Sequence, residues 1–253
     1  MNIDWQPLRE ELALWRRSGL ELPFWWRDDD AIEPTPELDE LTALAGETGV
    51  PVHLAVIPRD ATQTLASQVK ATQMLIPVVH GWAHENHAPP SLKKAEFGAT
   101  REMAECVSDI AQALEKAKSL FGDRLALMFV PPWNRIDLAL MTPLAEAGFS
   151  AISSFQSRRE PDTAPGLAQI NTHLDPIFWR GTRGLVEPAQ LVALAVALLK
   201  DRRRAITDNS EPFGYLTHHL VHDADIWEFS RQFLQEMSEG PIRLYRHDRK
   251  EEA

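Results

Sequence analysis

Apolar positions in this chain follow two rhythms. Between residues 4 and 18, Trp5, Leu8, Leu12 and Trp15 recur among charges, the stripe of an amphipathic helix ending near Gly19. The run Leu22-Pro23-Phe24-Trp25-Trp26 is continuous instead and predicts a buried strand. Further strand-like runs occupy residues 50–58, 74–79, 125–130, 149–153, 168–171 (a weak one) and 213–217. Helical spacing separates them at 34–46, 61–72, 92–121, 137–147, 187–204 and 224–238, with Gly98 marking a turn in the longest pattern. Residues 242–245 read as an extended tail and 157–166 as a polar loop. Seven strands interleaved with helices predict a mainly parallel α/β sheet, open or closed into a barrel. No repeat, linker or composition break divides residues 1–253, so the expectation is one domain.

The polar clusters refine this picture. Arg27-Asp28-Asp29-Asp30, the stretch from His80 through His84 to His87, Pro131-Pro132-Trp133-Asn134-Arg135, His173-Leu174-Asp175 and His218 to Asp223 each follow a predicted strand. In a parallel sheet those ends open on one face, where α/β folds build their sites. His80 and His84 are four apart, so one helical turn would stack both imidazoles, common metal ligands, on one side. Three adjacent carboxylates repel one another unless a cation or water absorbs the charge. Spacing leaves open which of Asp28, Asp29 and Asp30 would bind a metal and which would act as a base. The proline pair stiffens the wall that carries Trp133 and Asn134. Six of the eight tryptophans, Trp82, Trp133 and Trp179 among them, lie in or beside these clusters, where flat rings suit a sugar-like ligand. His87 and His222 are further pocket candidates, and His53, inside a strand, is expected to be a core histidine.

Composition removes alternatives. The chain carries 26 basic and 37 acidic side chains, a net charge of −11, which disfavours nucleic acid or an anionic membrane as partner. The basic end of the helix at 187–204 complements its dipole and carries no nucleic-acid expectation. Cys106 is the only cysteine, so an intrachain disulfide and a thiolate zinc site are excluded. No signal-like segment opens the sequence and no apolar run approaches the roughly 20 residues of a spanning helix, so a soluble cytoplasmic protein is expected.

In this order the motifs resemble those of the polysaccharide deacetylases, the NodB homology domain of carbohydrate esterase family 4. Asp29-Asp30 before Ala31 is similar to that family's Asp pair, with Asp28-Asp29 as the other register. His80 and His84 match its His-x-x-x-His. Pro131-Pro132-Trp133 matches its third motif except that Val130 stands near the family's arginine, a role open to Arg135 or Arg27. Asp175 with Trp179 resembles the fourth motif, and Leu216-Thr217-His218 the fifth. The resemblance spans residues 22–219. It implies a distorted (β/α)7 barrel and a divalent metal on Asp30, His80 and His84: Zn2+ first, with Co2+, Mn2+ and Ni2+ as alternatives. It also implies Asp29 as general base, His218 as general acid supported by Asp175 or Asp223, and Trp82, Pro132, Trp133, Asn134 and Trp179 around the substrate. The implied reaction is removal of an acetyl or other acyl group from an N-acetylated sugar or related small molecule, an oligosaccharide included. Other metal-dependent amide or ester hydrolysis, and an inactive carbohydrate-binding homologue, are the alternatives.

Overall fold

Alternation along the strands sorts their side chains between two cores. A computed structural model describes residues 1–247. In chain order its elements are α1 (Gln6–Arg17), β1 (Leu22–Ala31), α2 (Pro36–Thr48), β2 (Val52–Val56), α3 (Gln63–Lys70) and β3 (Leu75–His80). There follow α4 (Met103–Phe121), β4 (Met128–Val130), α5 (Met141–Ala147), β5 (Ala151–Ile152), β6 (Asp162–Ala164) and β7 (Leu167–Gln169). The last are α6 (Pro188–Arg203), β8 (Phe213–Thr217), α7 (Ala224–Ser238) and β9 (Ile242–Leu244). On β1, Phe24 and Trp26 join the large core under the helices, while Trp25 joins a smaller one with Ala55, Ile76, Val78, Met128, Val130 and Ile170. A strand turns successive side chains to opposite faces, so this division assigns each strand an inner and an outer row.

The sheet runs β6-β7-β5-β4-β3-β2-β1-β8, parallel throughout except for the β6–β7 hairpin, with β9 added beside β1. Residues just beyond β7 complete the curl. Thr172 bridges to Phe155, past the end of β5, and Leu174 bridges to Tyr215 of β8. β1 to β5, the 167–174 stretch and β8 thus make seven staves of a distorted (β/α)7 barrel, as expected. The smaller core is its interior.

Three expectations fail. The pattern at 92–121 is helical only over Met103–Phe121. Ala95, Glu96 and Phe97 are buried in succession, which a helix with one exposed face cannot achieve, and the segment instead packs beneath the turn after β3. That turn is itself not helical: residues 81–89 form an irregular loop. The polar loop at 157–166 contains a short strand, β6, whose hairpin partner is β7. No helix among the described residues is long and apolar enough to cross a membrane.

Candidate active site

Strand parity decides which acidic residue goes where. On β1 the inward row continues from Trp25 through Arg27 to Asp29, and the outward row from Trp26 to Asp28. Asp28 is buried on the outer side, accepting hydrogen bonds from the Thr217 hydroxyl (2.6 Å), the His219 amide (3.0 Å) and the His219 ring. It therefore takes no part in the cavity, and the register with Asp28-Asp29 as the site pair is corrected. Asp30 would point outward too, but the β1–β2 register slips between Asp28 and Ala31 and Asp30 has φ of 80°. This bulge, with one residue in the left-handed region, turns two consecutive carboxylates onto the same side.

His80 ends β3 on its inward row. Its Nδ1 lies 2.9 Å from the Val130 carbonyl, so the proton of the neutral ring sits on Nδ1 and Nε2 presents a lone pair. That nitrogen lies 3.1 Å from Asp30 Oδ1, and His84 Nε2 lies 3.3 Å from the same oxygen. His84 arrives by a loop rather than a helical turn: Gly81 (φ 58°) and His84 (φ 55°) both adopt left-handed conformations. A Cβ on Gly81 would come within 2.2 Å of Glu96 Oε2 and 2.6 Å of Pro132 Cδ, so only glycine fits. Glu96, wholly buried, accepts hydrogen bonds from the amides of Trp82 (3.2 Å) and Ala83 (2.7 Å) and shapes this loop. Burial pushes its carboxyl pKa up.

Asp30, His80 and His84 form the candidate metal-ligand group among the described residues, their donor atoms all within 4.8 Å of one another. The chemistry of the set fits a divalent ion. Two imidazole lone pairs and a carboxylate face one another at distances where only a shared cation or a proton removes the repulsion. Donors placed tetrahedrally about 2.0–2.1 Å from an ion stand roughly 3.3 Å apart, close to the 3.1 and 3.3 Å that separate Asp30 Oδ1 from the two imidazole nitrogens. Burial opposes ionisation of Asp30, yet when a proton rather than a cation sits at His80 Nε2, the hydrogen bond and charge of His80, with His218 and His84, hold the Asp30 carboxyl below the usual range. Burial, reinforced by the His80 charge, lowers the pKa of His84.

Asp29 is held differently. Arg27, fully buried in the barrel, pairs with both its oxygens, Nε to Oδ1 at 2.9 Å and Nη2 to Oδ2 at 3.0 Å. The same guanidinium donates to Asn134 Oδ1 and to Ser153 Oγ, each at 2.7 Å. Arg27 is thus the guanidinium that reaches Asp29. Arg135 instead donates to the Lys94 carbonyl at 2.8 Å while still lining the cavity. His218 follows β8 on its inward row, with Nε2 3.9 Å from Asp29 Oδ2. The edge of Trp179 packs against its ring at 4.7 Å, and the Trp179 indole donates to Asp175 Oδ2 at 2.8 Å. Burial raises the pKa of Asp175. Asp223 does not support His218: its side chain caps α7 at the Ile226 amide.

A cavity of 750 Å³ joins these groups, lined by Asp29, Asp30, His80, His84, Asp175 and His218, with Trp133, Asn134 and Trp179 as its walls. Four further expected members lie outside it. Trp82 is half-buried against the outer core, because its loop turns the ring away. His87 is exposed on that loop. His222 is half-buried with its ring edge-on to Trp227 at 4.4 Å. Pro132 is buried behind the wall, against Gly81. Gln156, Arg180 and Arg183 line the cavity without having been singled out from sequence. Glu96 was hidden by its helical-looking neighbours; the one available signal was a lone acid between apolar Ala95 and Phe97.

No protein-family model matches the chain, and no curated protein matches it. Solved structures do. A carbohydrate esterase of family 4 from Streptococcus mutans aligns over 89% of this chain and 87% of its own at 13% identity, TM-score 0.56. The peptidoglycan deacetylase PdaC from Bacillus subtilis aligns over 88% and 87% at 10% identity, TM-score 0.54. A family 4 carbohydrate esterase from Streptomyces lividans, in complex with acetate, aligns over 87% and 90% at 12% identity, TM-score 0.53. At such identities the likeness establishes a shared fold, the NodB-like barrel of polysaccharide deacetylases.

Proposed function

We propose that this chain is a metal-dependent hydrolase that removes an acetyl or other acyl group from the nitrogen of an N-acetylated sugar or a related small molecule. One observation carries the reading. A carboxylate-and-two-imidazole donor set, a carboxylate clamped by a buried guanidinium and a free-standing imidazole meet in one cavity on the fold of known deacetylases. Asp30, His80 and His84 would hold the ion. Zn2+ suits one oxygen and two nitrogens, and Co2+, Mn2+ or Ni2+ accept the same donors. When bound, such an ion acts as a Lewis acid towards an acyl oxygen and lowers the pKa of water to about 7.

The remaining chemistry belongs to side chains. Asp29 is the general base: its Oδ2 faces the cavity and takes a proton from the attacking water. Arg27 pairs with both oxygens and orients the Asp29 carboxylate. His218 is the general acid, delivering its proton from Nε2 to the departing nitrogen. Trp179, tied to Asp175, stands against the His218 ring and limits its rotation. Trp133 and Trp179 offer two aromatic walls to a sugar ring.

Asp29→Asn in the zinc-loaded protein tests this. Acetate release from N-acetylated sugars is expected to fall at least a hundredfold while bound zinc stays near one per chain. Undiminished release by that variant would remove Asp29 from the mechanism. Sugar binding without acyl release by the unaltered protein, whatever metal is supplied, would favour a carbohydrate-binding role instead.

A further inference from the structure

The mouth of the cavity carries charge that this chemistry leaves unused. Arg135, Arg180 and Arg183 all line it, and none forms an ion pair among the described residues. Eight other arginines do sit against carboxylates. The acidic groups in the cavity are already engaged: Asp29 by Arg27, Asp30 by the two imidazoles, and Asp175 by the Trp179 indole. Arg183 sits at φ of 60°, a strained conformation for a residue with a side chain, with its guanidinium over the Trp179 indole at 5.6 Å. On the other aromatic wall, the Lys94 ammonium stands 5.9 Å from the Trp133 ring centre. Each aromatic wall is therefore bordered by cations, in a chain whose net charge is −11. A cleft lined by one sign of charge concentrates ligands of the other.

Neutral hydroxyls do not require guanidinium groups. The planar fork of arginine matches the oxygens of phosphate and carboxylate, and charge-assisted bonds of this kind are the strong ones. We infer that the substrate of this site bears an anionic group, a phosphate or a carboxylate, next to its acylated sugar, and that Arg180 and Arg183, faced by Arg135, receive it. The inference rests on the acyl-hydrolase reading for the part of the substrate that enters the cavity.

The test compares N-acetylglucosamine with its 1- and 6-phosphates and with the carboxylate-bearing N-acetylmuramic acid, using zinc-loaded protein. At least one anionic member is expected to exceed the neutral sugar by about tenfold or more in kcat/KM, mainly through KM, and the advantage should shrink at high salt. The phosphate and carboxylate arms show which anion is read. The double variant Arg180→Ala/Arg183→Ala should collapse the ratio between anionic and neutral members. Equal use of neutral and anionic sugars would overturn the proposal, as would an advantage that survives the double variant. If none is hydrolysed, calorimetric titration of the same compounds into the same protein decides. Selective binding of an anionic member upholds the basic mouth while the hydrolase reading falls, and binding of no anionic member overturns the inference.

Discussion

Replacing Arg27 by lysine should damage stability and catalysis together while sparing the metal ligands. The guanidinium lies wholly inside the barrel and makes five contacts: two to Asp29, at 2.9 and 3.0 Å, one each to Asn134 and Ser153 at 2.7 Å, and a longer one to the Ser154 carbonyl at 3.4 Å. A lysine ammonium keeps the charge but cannot bridge both carboxylate oxygens and also reach two further acceptors. Breaking a buried pair outright costs about 3–5 kcal/mol, and retaining one contact reduces this to roughly 2–4 kcal/mol. For a protein of this size each kcal/mol moves the melting temperature by about 2–4 °C, so Arg27→Lys should melt roughly 5–15 °C lower. Asp29 then loses its fixed orientation, and kcat should fall about a hundredfold. Bound zinc should be unchanged, because Arg27 touches none of Asp30, His80 and His84. Scanning calorimetry, metal analysis and acetate release read the three quantities. Arg135→Ala is the control: it gives up a bond to the Lys94 carbonyl, should shift melting by no more than about 1 °C and should act on KM. If Arg27→Lys melts and turns over like the unaltered protein while Arg135→Ala loses kcat, the assignment of the carboxylate clamp is wrong.

Gly81→Ala places a Cβ 2.2 Å from Glu96 Oε2 at a backbone φ of 58°, so the loop that delivers His84 must shift; zinc affinity should drop at least tenfold by competition with a chelating dye, and unaltered affinity would show that the loop is not built on that glycine. A second expectation concerns pH. Burial, together with the charge of Arg202, lowers the His173 pKa to about 4 despite the neighbouring Glu211, while an unfolded histidine titrates near ~6.5. Between those values the unfolded chain binds a proton that the folded one refuses. The contribution of neutral His173 is thus full above pH ~6.5 and is lost as pH falls towards 4, on the order of 3 kcal/mol in all. His173→Asn should lower stability at neutral pH but flatten the slope of urea-unfolding stability against pH; an unchanged slope would mean that His173 does not titrate in this way.

Much of the barrel was readable because burial on both faces leaves continuous apolar runs, and six such runs plus a weak seventh mark the staves. The 92–102 segment misled for the same reason in reverse. Its Ala, Glu and Lys content favours helix locally, but Phe97 and Glu96 are held by contacts with Ile136 and with the 82–83 amides. Residues distant in sequence outweighed propensity there.

The site divides along the same line. One-dimensional pattern was enough to place acids, imidazoles and aromatics at strand ends, because a parallel sheet brings all those ends to one side. His218 and His219 face opposite ways, one towards Asp29 and the other towards Asp28, as neighbours at the end of a strand do. Pattern could not choose among Asp28, Asp29 and Asp30: strict alternation would have paired Asp28 with Asp30, and the bulge with its left-handed Asp30 broke that rule. Nor could it choose between Arg27 and Arg135, since which guanidinium reaches Asp29 depends on the barrel interior having room for the inward-facing side chain of β1. Sequence sets the order in which charged groups leave the strands. The close approach of those groups, and the pairs they make, follow from a closed barrel in which an unpartnered buried charge is too costly to keep.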